Sequence, residues 1–228
     1  MIQTFPDTKP LFNKVVDKVQ LWNYEDPVVE FCSTSYWHAF EFIDGTPVRI
    51  IWEKNWSNQL QDRIFEVAIK GNNWHSYTED QKGVSMLKYL FHEGVMKRLF
   101  GETEVALYGY IFGEGIGQTD VYIKDGVTFA LLHVNIDGNW ASIADIRAVA
   151  KSLKIDTLPY LGGGSIYSGV RNLREPIASY YGDFPLEGIL LVPDVVFKDS
   201  HSDYAVRKLL TSDVQCHIDS EIANAEPD

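Results

Sequence analysis

Charged, aromatic and glycine residues that could contact a ligand are concentrated in the short stretch 41–49, EFIDGTPVR. Its Asp44-Gly45 step lies between two apolar runs, a pattern typical of a tight turn between two β-strands, since glycine accepts a positive φ. Glu41 and Arg49 can contact polar groups of a ligand, while Phe42 offers a ring for stacking or apolar contact. A plain hairpin over residues 36–52, with Asp44 as an ordinary turn residue, is the alternative interpretation.

The string from residue 41 to residue 50, E-F-I-D-G-T-P-V-R-I, resembles motif I of the phage-type RNA ligases, which are ATP-dependent covalent nucleotidyltransferases. In that family the motif reads E-K-x-D-G-T-x-x-R, and its lysine attacks the α-phosphate of ATP to hold AMP as a phosphoramidate. This chain has Phe42 at the lysine position. Because a phenyl ring has no lone pair to donate, the resemblance implies that Phe42 cannot form the covalent intermediate.

A second matching segment, Glu104–Gln118, joins an apolar run to a glycine-rich end, EVALYGYIFGEGIGQ. It resembles motif III of the same family, L-Y-G-E-G-x-G, whose glutamate contacts the ribose of the nucleotide. Aligned on Leu107-Tyr108-Gly109, that glutamate becomes Tyr110. Aligned on Phe112-Gly113, the acid survives as Glu114, and both registers stay open.

Further positions extend the resemblance towards the end of the chain. Lys70 stands where motif Ia has a basic residue, although a solvated lysine at a strand end is an equal alternative. His133 falls in a segment similar to motif IIIa. Either its imidazole faces a ligand, or the hydrogen bonds of the ring are satisfied within a strand. Glu187, followed by glycine, matches motif IV, whose glutamate helps hold metal and phosphates. Lys208 takes the place of the first motif V lysine, and Leu210 replaces the second.

Length and composition limit the classes of function. The chain has 228 residues, 45% hydrophobic content and a formal net charge of −12, which suits one folded domain and disfavours binding of extended RNA or DNA. We expect no membrane span, because no apolar run reaches about 18 residues, and no signal peptide is visible at the N-terminus. Two cysteines, with no metal-type spacing, favour a reduced, cytoplasmic protein, in the host-cell cytoplasm if a phage encodes it.

Periodicity predicts the elements that position these residues. Apolar residues at three- and four-residue steps indicate helices over 78–100 and 142–154, with a short helix after Ser165. Alternating or continuous apolar runs indicate strands over 63–69, the first half of 104–118, 127–134 and 186–192. The triplet Gly162-Gly163-Gly164 is interpreted as a turn, and Ile136–Trp140 as a hairpin-like turn.

The resemblance covers about residues 5–214 and implies an α+β fold, with two packed antiparallel sheets, flanking helices and a nucleotide groove between them. We expect this domain over residues 1–214, followed by an acidic, flexible tail over 215–228. We expect no separate C-terminal domain within these remaining residues.

The preserved glycines and strands, with changed charged positions, predict a catalytically inactive protein that binds a nucleotide. The expected contacts are Glu41, Phe42, Asp44, Gly45, Arg49, Lys70, Tyr110, His133, Glu187 and Lys208. No catalytic residue, metal or required cofactor is expected, and the ligand would be an adenine nucleotide or a related signal nucleotide, held by a monomer or a homo-oligomer. A phage protein of this kind could sequester a signal of host defence.

Two alternatives belong to other classes of protein. One is an active ATP-dependent RNA ligase or nucleotidyltransferase with a displaced lysine, Lys54 or Lys70. The other is a protein-binding module whose acidic surface mimics nucleic acid.

Overall fold

The computed structural model describes residues 8–15, 18–54, 63–70, 74–76, 83–198, 200 and 204–215. The strands in these ranges are β1 (Lys9–Pro10), β2 (Phe12–Val15), β3 (Lys18–Tyr24), β4 (Trp37–Glu41), β5 (Thr46–Lys54), β6 (Arg63–Lys70), β7 (Trp74–Ser76), β8 (Val105–Gly113), β9 (Val127–Ile136), β10 (Asn139–Trp140), β11 (Asp156–Thr157), β12 (Tyr160–Gly164), β13 (Gly188–Pro193) and β14 (Arg207–Leu210). The helices are α1 (Pro27–Phe31), α2 (Val84–Leu90), α3 (Glu93–Phe100), α4 (Ile143–Leu153) and α5 (Ile166–Asn172), with a 3₁₀ turn at Thr119–Val121.

The chain divides into two compact units. Unit 1 contains residues 43–158, and unit 2 contains residues 6–42 together with residues 159–228. The α+β fold with mainly antiparallel sheets is confirmed. Predictions that concern the packing of the sheets against each other, the groove between them and the domain limit at residue 214 stay predictions, and residues 216–228 lie outside the described ranges.

Unit 1 is built on a seven-stranded sheet in the order β10-β9-β8-β5-β6-β7, with β11 added in parallel to β9. Helices α2, α3 and α4 supply apolar side chains to one core cluster with this sheet, including Leu87, Met96 and Ile146. The sheet contributes alternate residues such as Ile50 and Leu107 to that cluster, because successive side chains of a strand point to opposite faces.

Unit 2 is built on a five-stranded sheet in the order β1-β14-β13-β4-β12 and a separate β2-β3 ribbon. Neighbouring strands of the five-stranded sheet are antiparallel, apart from β1 and β14. One face carries Trp37, Ile189 and Leu191, which share a core cluster with Ile166 and Val170 of α5. The opposite face therefore carries the alternate residues of β4, which include Phe40 and His38.

The predicted hairpin over residues 36–52 is wrong. Strand β4 pairs with β12 and β13 in unit 2, whereas β5 pairs with β6 and β8 in unit 1. Residues 42–45 are thus a crossing between two sheets. Gly45 does not adopt the positive φ of a tight turn. A glycine is required there because a Cβ would lie 2.5 Å from the carbonyl oxygen of Ile111 in β8.

The predicted helix over residues 78–100 is two helices, as far as the described residues show it. α2 ends at Leu90 and α3 begins after the extended residue His92, while residues 78–82 of the predicted helix lie outside the described ranges. Phe91 is fully buried and packs edge-on against Phe129, with ring centroids 5.2 Å apart. α3 ends at Phe100, the predicted end of the helical stretch, and Gly101 follows it with a positive φ of 55°.

Other local predictions are confirmed. Ser142 caps α4 and exchanges hydrogen bonds with Asp145, and Ser165 caps α5. Asp137 and Gly138 both have positive φ in the β9-β10 hairpin. The glycine triplet, in contrast, is no turn: it forms most of strand β12, paired with β4. Among the described helices, none is long and apolar enough to cross a membrane.

Candidate functional site

Phe42 and Lys208 lie together on one face of the five-stranded sheet, although they are far apart in the sequence. The backbone N–H of Phe42 donates to the carbonyl of Gly188 in β13, 2.9 Å away. The ring is 4% exposed, and the ammonium of Lys208 lies 4.8 Å from its centroid. The positions that match motif I and motif V of the resembled family are therefore neighbours in the fold.

Glu41 points to the face opposite Phe42, because adjacent side chains alternate along a strand. Its carboxylate is fully buried and accepts hydrogen bonds from the Ser179 hydroxyl at 2.5 Å and from the Tyr180 backbone N–H at 3.0 Å. These contacts tie the loop after α5 to β4. They give Glu41 a structural role, and ligand binding by this carboxylate stays a prediction.

Asp44 is exposed in the crossing between the sheets and belongs to unit 1. Its backbone carbonyl lies beside the glycine-rich segment after β8, 3.5 Å from the position that a Cβ on Gly117 would occupy. Gly117 has a positive φ of 56°, which glycine adopts without steric cost. The acid-glycine step and the glycine-rich segment, both singled out from the sequence, are thus neighbours.

Arg49 and His133 belong to one polar row on the seven-stranded sheet. Arg49 of β5 is paired with Tyr108 of β8, which is paired with His133 of β9. Directly paired residues share a face of the sheet. The ring of Trp140 packs against both aromatic members, with centroids 5.3 Å from Tyr108 and 5.7 Å from His133. The row lies on the face opposite that of Ile50 and Leu107.

Burial sets the protonation states within this row. His133 is 2% exposed, and loss of solvation lowers its pKa from 6.5 to about 3, so the imidazole is neutral at physiological pH. Burial also raises the pKa of Tyr108, and the positive charge of Arg49 partly opposes that rise. The row therefore presents a neutral imidazole and a neutral phenol beside one guanidinium. Tyr108 itself was not among the predicted site residues, because its pairing partners are not visible in the sequence.

The two candidates for the motif III position differ in environment. Tyr110 is 4% exposed within β8, where it pairs with Pro47 and Ala130. Glu114 is exposed in the turn after that strand, and its carboxylate accepts a hydrogen bond from the Gly126 backbone N–H at 3.3 Å. Glu114 thus closes the turn. The register of the motif stays a prediction.

Lys70 and Glu187 complete the predicted set. Lys70 is the last residue of β6, and its side chain, like that of Lys54, lies outside the described part. Glu187 is exposed immediately before β13, and its carbonyl accepts a hydrogen bond from the Thr211 N–H at 2.9 Å. The glycine after it is explained by packing, because a Cβ on Gly188 would lie 2.5 Å from the Leu209 carbonyl oxygen.

A buried ionic cluster beside Lys208 is not visible in the sequence pattern. Arg207 is fully buried, with its guanidinium 3.8 Å from the Asp26 carboxylate and 3.9 Å from that of Glu25. Burial opposes ionisation of Asp26, yet hydrogen bonds from Ser200, Val28 and Val29 leave its pKa below the usual value. Arg207 and Lys208 point to opposite faces of β14, so Arg207 anchors the strand from which Lys208 reaches Phe42.

The described residues contain no group of three or more His, Cys, Asp or Glu side chains placed to hold a metal ion. What they bring together is an aromatic ring under an ammonium group in unit 2, and in unit 1 a polar row of one guanidinium, one neutral phenol and one neutral imidazole. An ammonium can donate to phosphate oxygens. A phenyl ring at position 42 supplies no nucleophile.

No protein-family profile and no curated protein sequence matches this chain. Solved structures of Naegleria gruberi RNA ligase share its fold. The ligase with PPi is similar over 96% of this chain and 64% of that chain, with TM-score 0.59 and 16% identity. A mutant with ATP and Mn is similar over 96% of this chain and 65% of that chain, with TM-score 0.64 and 13% identity. Another mutant, with AMP and Mn, is similar over 85% and 55%, with TM-score 0.61 and 13% identity.

These similarities show that the chain has the RNA-ligase-like nucleotidyltransferase fold predicted from its motifs. The chain spans between 55% and 65% of the length of these three ligase chains. The identities are too low to transfer residue roles, so the fold alone is established.

Proposed function

We propose that this protein is a catalytically inactive RNA-ligase-like protein that binds a nucleotide-type ligand without covalent turnover. The observation that carries the proposal is the pair Phe42 and Lys208. The position of the nucleophilic lysine in the resembled motif holds a phenyl ring, and the motif V lysine lies over that ring at 4.8 Å. In the resembled family, AMP is transferred to the amine of the lysine at the first position. The pair therefore supports binding without adenylation.

Lys208 is the residue that we expect to contact phosphate. It is half-buried, and the Phe42 ring beneath it restricts its position through a cation–π contact. An ammonium held in this way offers three donors, and charge-assisted hydrogen bonds to phosphate oxygens are among the strong ones. An adenine nucleotide or a related signal nucleotide is the ligand class that this arrangement favours. The AMP, ATP and PPi that accompany the Naegleria ligase structures support that choice.

Sequestration is the role that a nucleotide binder without turnover can perform. We infer that a phage-encoded protein of this kind would act in the host-cell cytoplasm, where it would lower the free concentration of a nucleotide signal used in defence. This role follows from the resemblance to phage-type ligases and not from the fold, because one fold hosts many functions.

Calorimetric titration of AMP and ATP into the wild type and Lys208→Ala tests the proposal. A charge-assisted hydrogen bond contributes about 1.5–3 kcal/mol, so we expect Lys208→Ala to bind AMP about 10- to 100-fold more weakly. Lys151→Ala, which removes an exposed lysine from α4, is the matched control and should bind like the wild type. Equal affinities of Lys208→Ala and the wild type would overturn the assignment of Lys208. Absence of binding of both nucleotides to the wild type would overturn the proposed function.

A further inference from the structure

Three aromatic rings and one carboxylate lie together at one edge of the five-stranded sheet, and no part of the proposed function uses them. This edge cluster consists of Tyr36, His38, Tyr160 and Asp194. The His38 ring centroid lies 5.2 Å from that of Tyr36 and 5.8 Å from that of Tyr160. Tyr36 is 51% exposed and Tyr160 is 40% exposed, so both rings are accessible to a ligand.

Hydrogen bonds fix the geometry of the edge cluster. The Nε2 of His38 lies 2.8 Å from Oδ1 of Asp194, and a carboxylate can only accept, so this nitrogen carries the proton. In the neutral ring Nδ1 is then an acceptor, and it lies 3.4 Å from the hydroxyl of Tyr160. The backbone N–H of Asp194 donates to the carbonyl of Tyr36 at 3.0 Å. The side chains of His38, Asp194 and Tyr160 are therefore held in one arrangement.

The glycine-rich strand β12 makes room for Tyr36. A Cβ on Gly163 would lie 2.4 Å from the Tyr36 hydroxyl oxygen and 2.6 Å from its ring. Gly163 is paired with His38 across the strands. Absence of a side chain at this position lets the Tyr36 ring lie against the strand, and this accounts for the central glycine of the triplet.

The edge cluster shares a face of the sheet with Phe42. Residues 38, 40 and 42 alternate along β4 and its end, and Tyr160 of β12 is paired with Phe40, whose ring it meets at 5.5 Å. Tyr160 is also in one paired row with Lys208, through Phe40 of β4 and Leu190 of β13, so these side chains share this face. Three strand spacings of about 4.8 Å put the Cα atoms of Tyr160 and Lys208 about 14 Å apart. A dinucleotide can place a phosphate at the Lys208 ammonium and a base at Tyr160.

We propose that the edge cluster binds a second nucleobase, so that the ligand is a dinucleotide or a short oligonucleotide rather than a mononucleotide. Exposed Tyr rings stack on bases, and each base–aromatic stack contributes about 1–3 kcal/mol. The Asp194 side chain, 56% exposed, opposes a phosphate but accepts a hydrogen bond from an amino group of a base. This inference rests on the proposed function. A short ligand carries few phosphates, which agrees with the formal net charge of −12 of the chain.

The test compares two probes that differ in one base. The first is the dinucleotide pApA, and the second carries an abasic sugar in place of its second adenosine. We expect the wild type to bind pApA about 5- to 150-fold more tightly than the abasic probe, as one stack of about 1–3 kcal/mol predicts. Tyr160→Ala and Tyr36→Ala should reduce that ratio towards one, whereas Tyr160→Phe should retain it. Tyr89→Ala, which removes an exposed tyrosine of unit 1, is the control.

The outcomes separate this inference from the proposed function. Tyr36 and Tyr160 are exposed, so their variants should fold, and circular dichroism checks this. If AMP binds but the two probes bind equally to the wild type, the second base site is wrong and the nucleotide site stands. If the Tyr160→Ala variant keeps the full preference for pApA, the second base binds elsewhere and the inference fails. A third outcome would also overturn the inference: the wild type binds spermidine, Tyr160→Ala loses that binding, and neither protein prefers pApA to the abasic probe. The edge cluster would then bind organic cations instead of a base.

Discussion

Phe42 and Lys208 meet across an intervening strand, with the lysine ammonium 4.8 Å from the centroid of the phenyl ring. Strand β13 lies between β4 and β14, and it presents Gly188 beside Phe42. A glycine has no side chain to fill that face of the sheet, so the lysine can reach the ring. The pair links two sequence motifs that the fold brings into contact.

A double-mutant cycle measures this contact. Phe42→Leu removes the π-system and keeps an apolar side chain, and Lys208→Met removes the charge and keeps the stem. We expect a coupling energy of about 0.5–1 kcal/mol in the free energy of unfolding, the usual range for a cation–π pair. Urea denaturation of the wild type, both single variants and the double variant gives the value. Strict additivity would show that the ammonium and the ring do not interact in solution.

The buried carboxylate of Glu41 is predicted to stabilise the fold. Ser179→Ala removes the hydroxyl that donates to the buried carboxylate at 2.5 Å, and a hydrogen bond to a charged group contributes about 1.5–3 kcal/mol. We expect Ser179→Ala to lower the free energy of unfolding by that amount and to leave the AMP affinity of the folded protein unchanged. A large loss of AMP affinity with unchanged stability would instead assign Glu41 to the nucleotide site.

Several elements could be predicted because their determinants are local. The Ser142–Asp145 capping box starts α4, and the Asp137-Gly138 step turns β9 into β10, since each needs only residues a few positions apart. The Asp44-Gly45 step has the same composition and a different outcome. The two strands that flank it do not pair with each other. Strand β4 pairs with β12 and β13, and strand β5 pairs with β6 and β8.

The contacts that the sequence does not reveal are long-range. The glycine triplet reads as a turn because glycine weakens strands in general, but β12 needs Gly163 to accommodate Tyr36. The partners of Arg207 and His38 lie far away in the sequence, and no spacing rule connects them. The resemblance to a family placed Phe42 and Lys208 together, whereas periodicity alone would not have done so.

His133 makes the stability of the protein sensitive to acid. Its pKa in the folded state is lowered by burial to about 3 from 6.5, so between these values the unfolded state binds the proton more readily. Stability is therefore fully retained above about pH 6.5 and falls as the pH decreases towards 3, by up to about 1.4 kcal/mol per pH unit. His133→Gln should flatten this part of the curve, measured by urea denaturation at each pH. His92→Gln, at an exposed histidine, is the control, and an unchanged slope in His133→Gln would contradict the buried neutral state.

Gly45 is predicted to be required by packing rather than by a turn. Alanine there would place its Cβ 2.5 Å from the Ile111 carbonyl oxygen, and overpacking of this kind costs typically about 1–3 kcal/mol. Gly94→Ala is the contrasting variant, because Gly94 lies within α3 and a Cβ there meets only the movable His92 ring at 3.2 Å. Alanine should stabilise that helix by about 0.4–1 kcal/mol. Opposite shifts in the melting temperature are expected, and a neutral Gly45→Ala would refute the close approach.

The most direct test of the central claim is mass spectrometry of the protein after incubation with ATP and Mg²⁺ or Mn²⁺, under native and then denaturing conditions. The account predicts a nucleotide adduct in the native spectrum that is absent after denaturation, because Phe42 offers no atom for a bond to phosphorus. An AMP increment that survives denaturation would contradict it. Peptide mapping would then locate the nucleophile, with Lys54 and Lys70 as the first candidates for a displaced lysine.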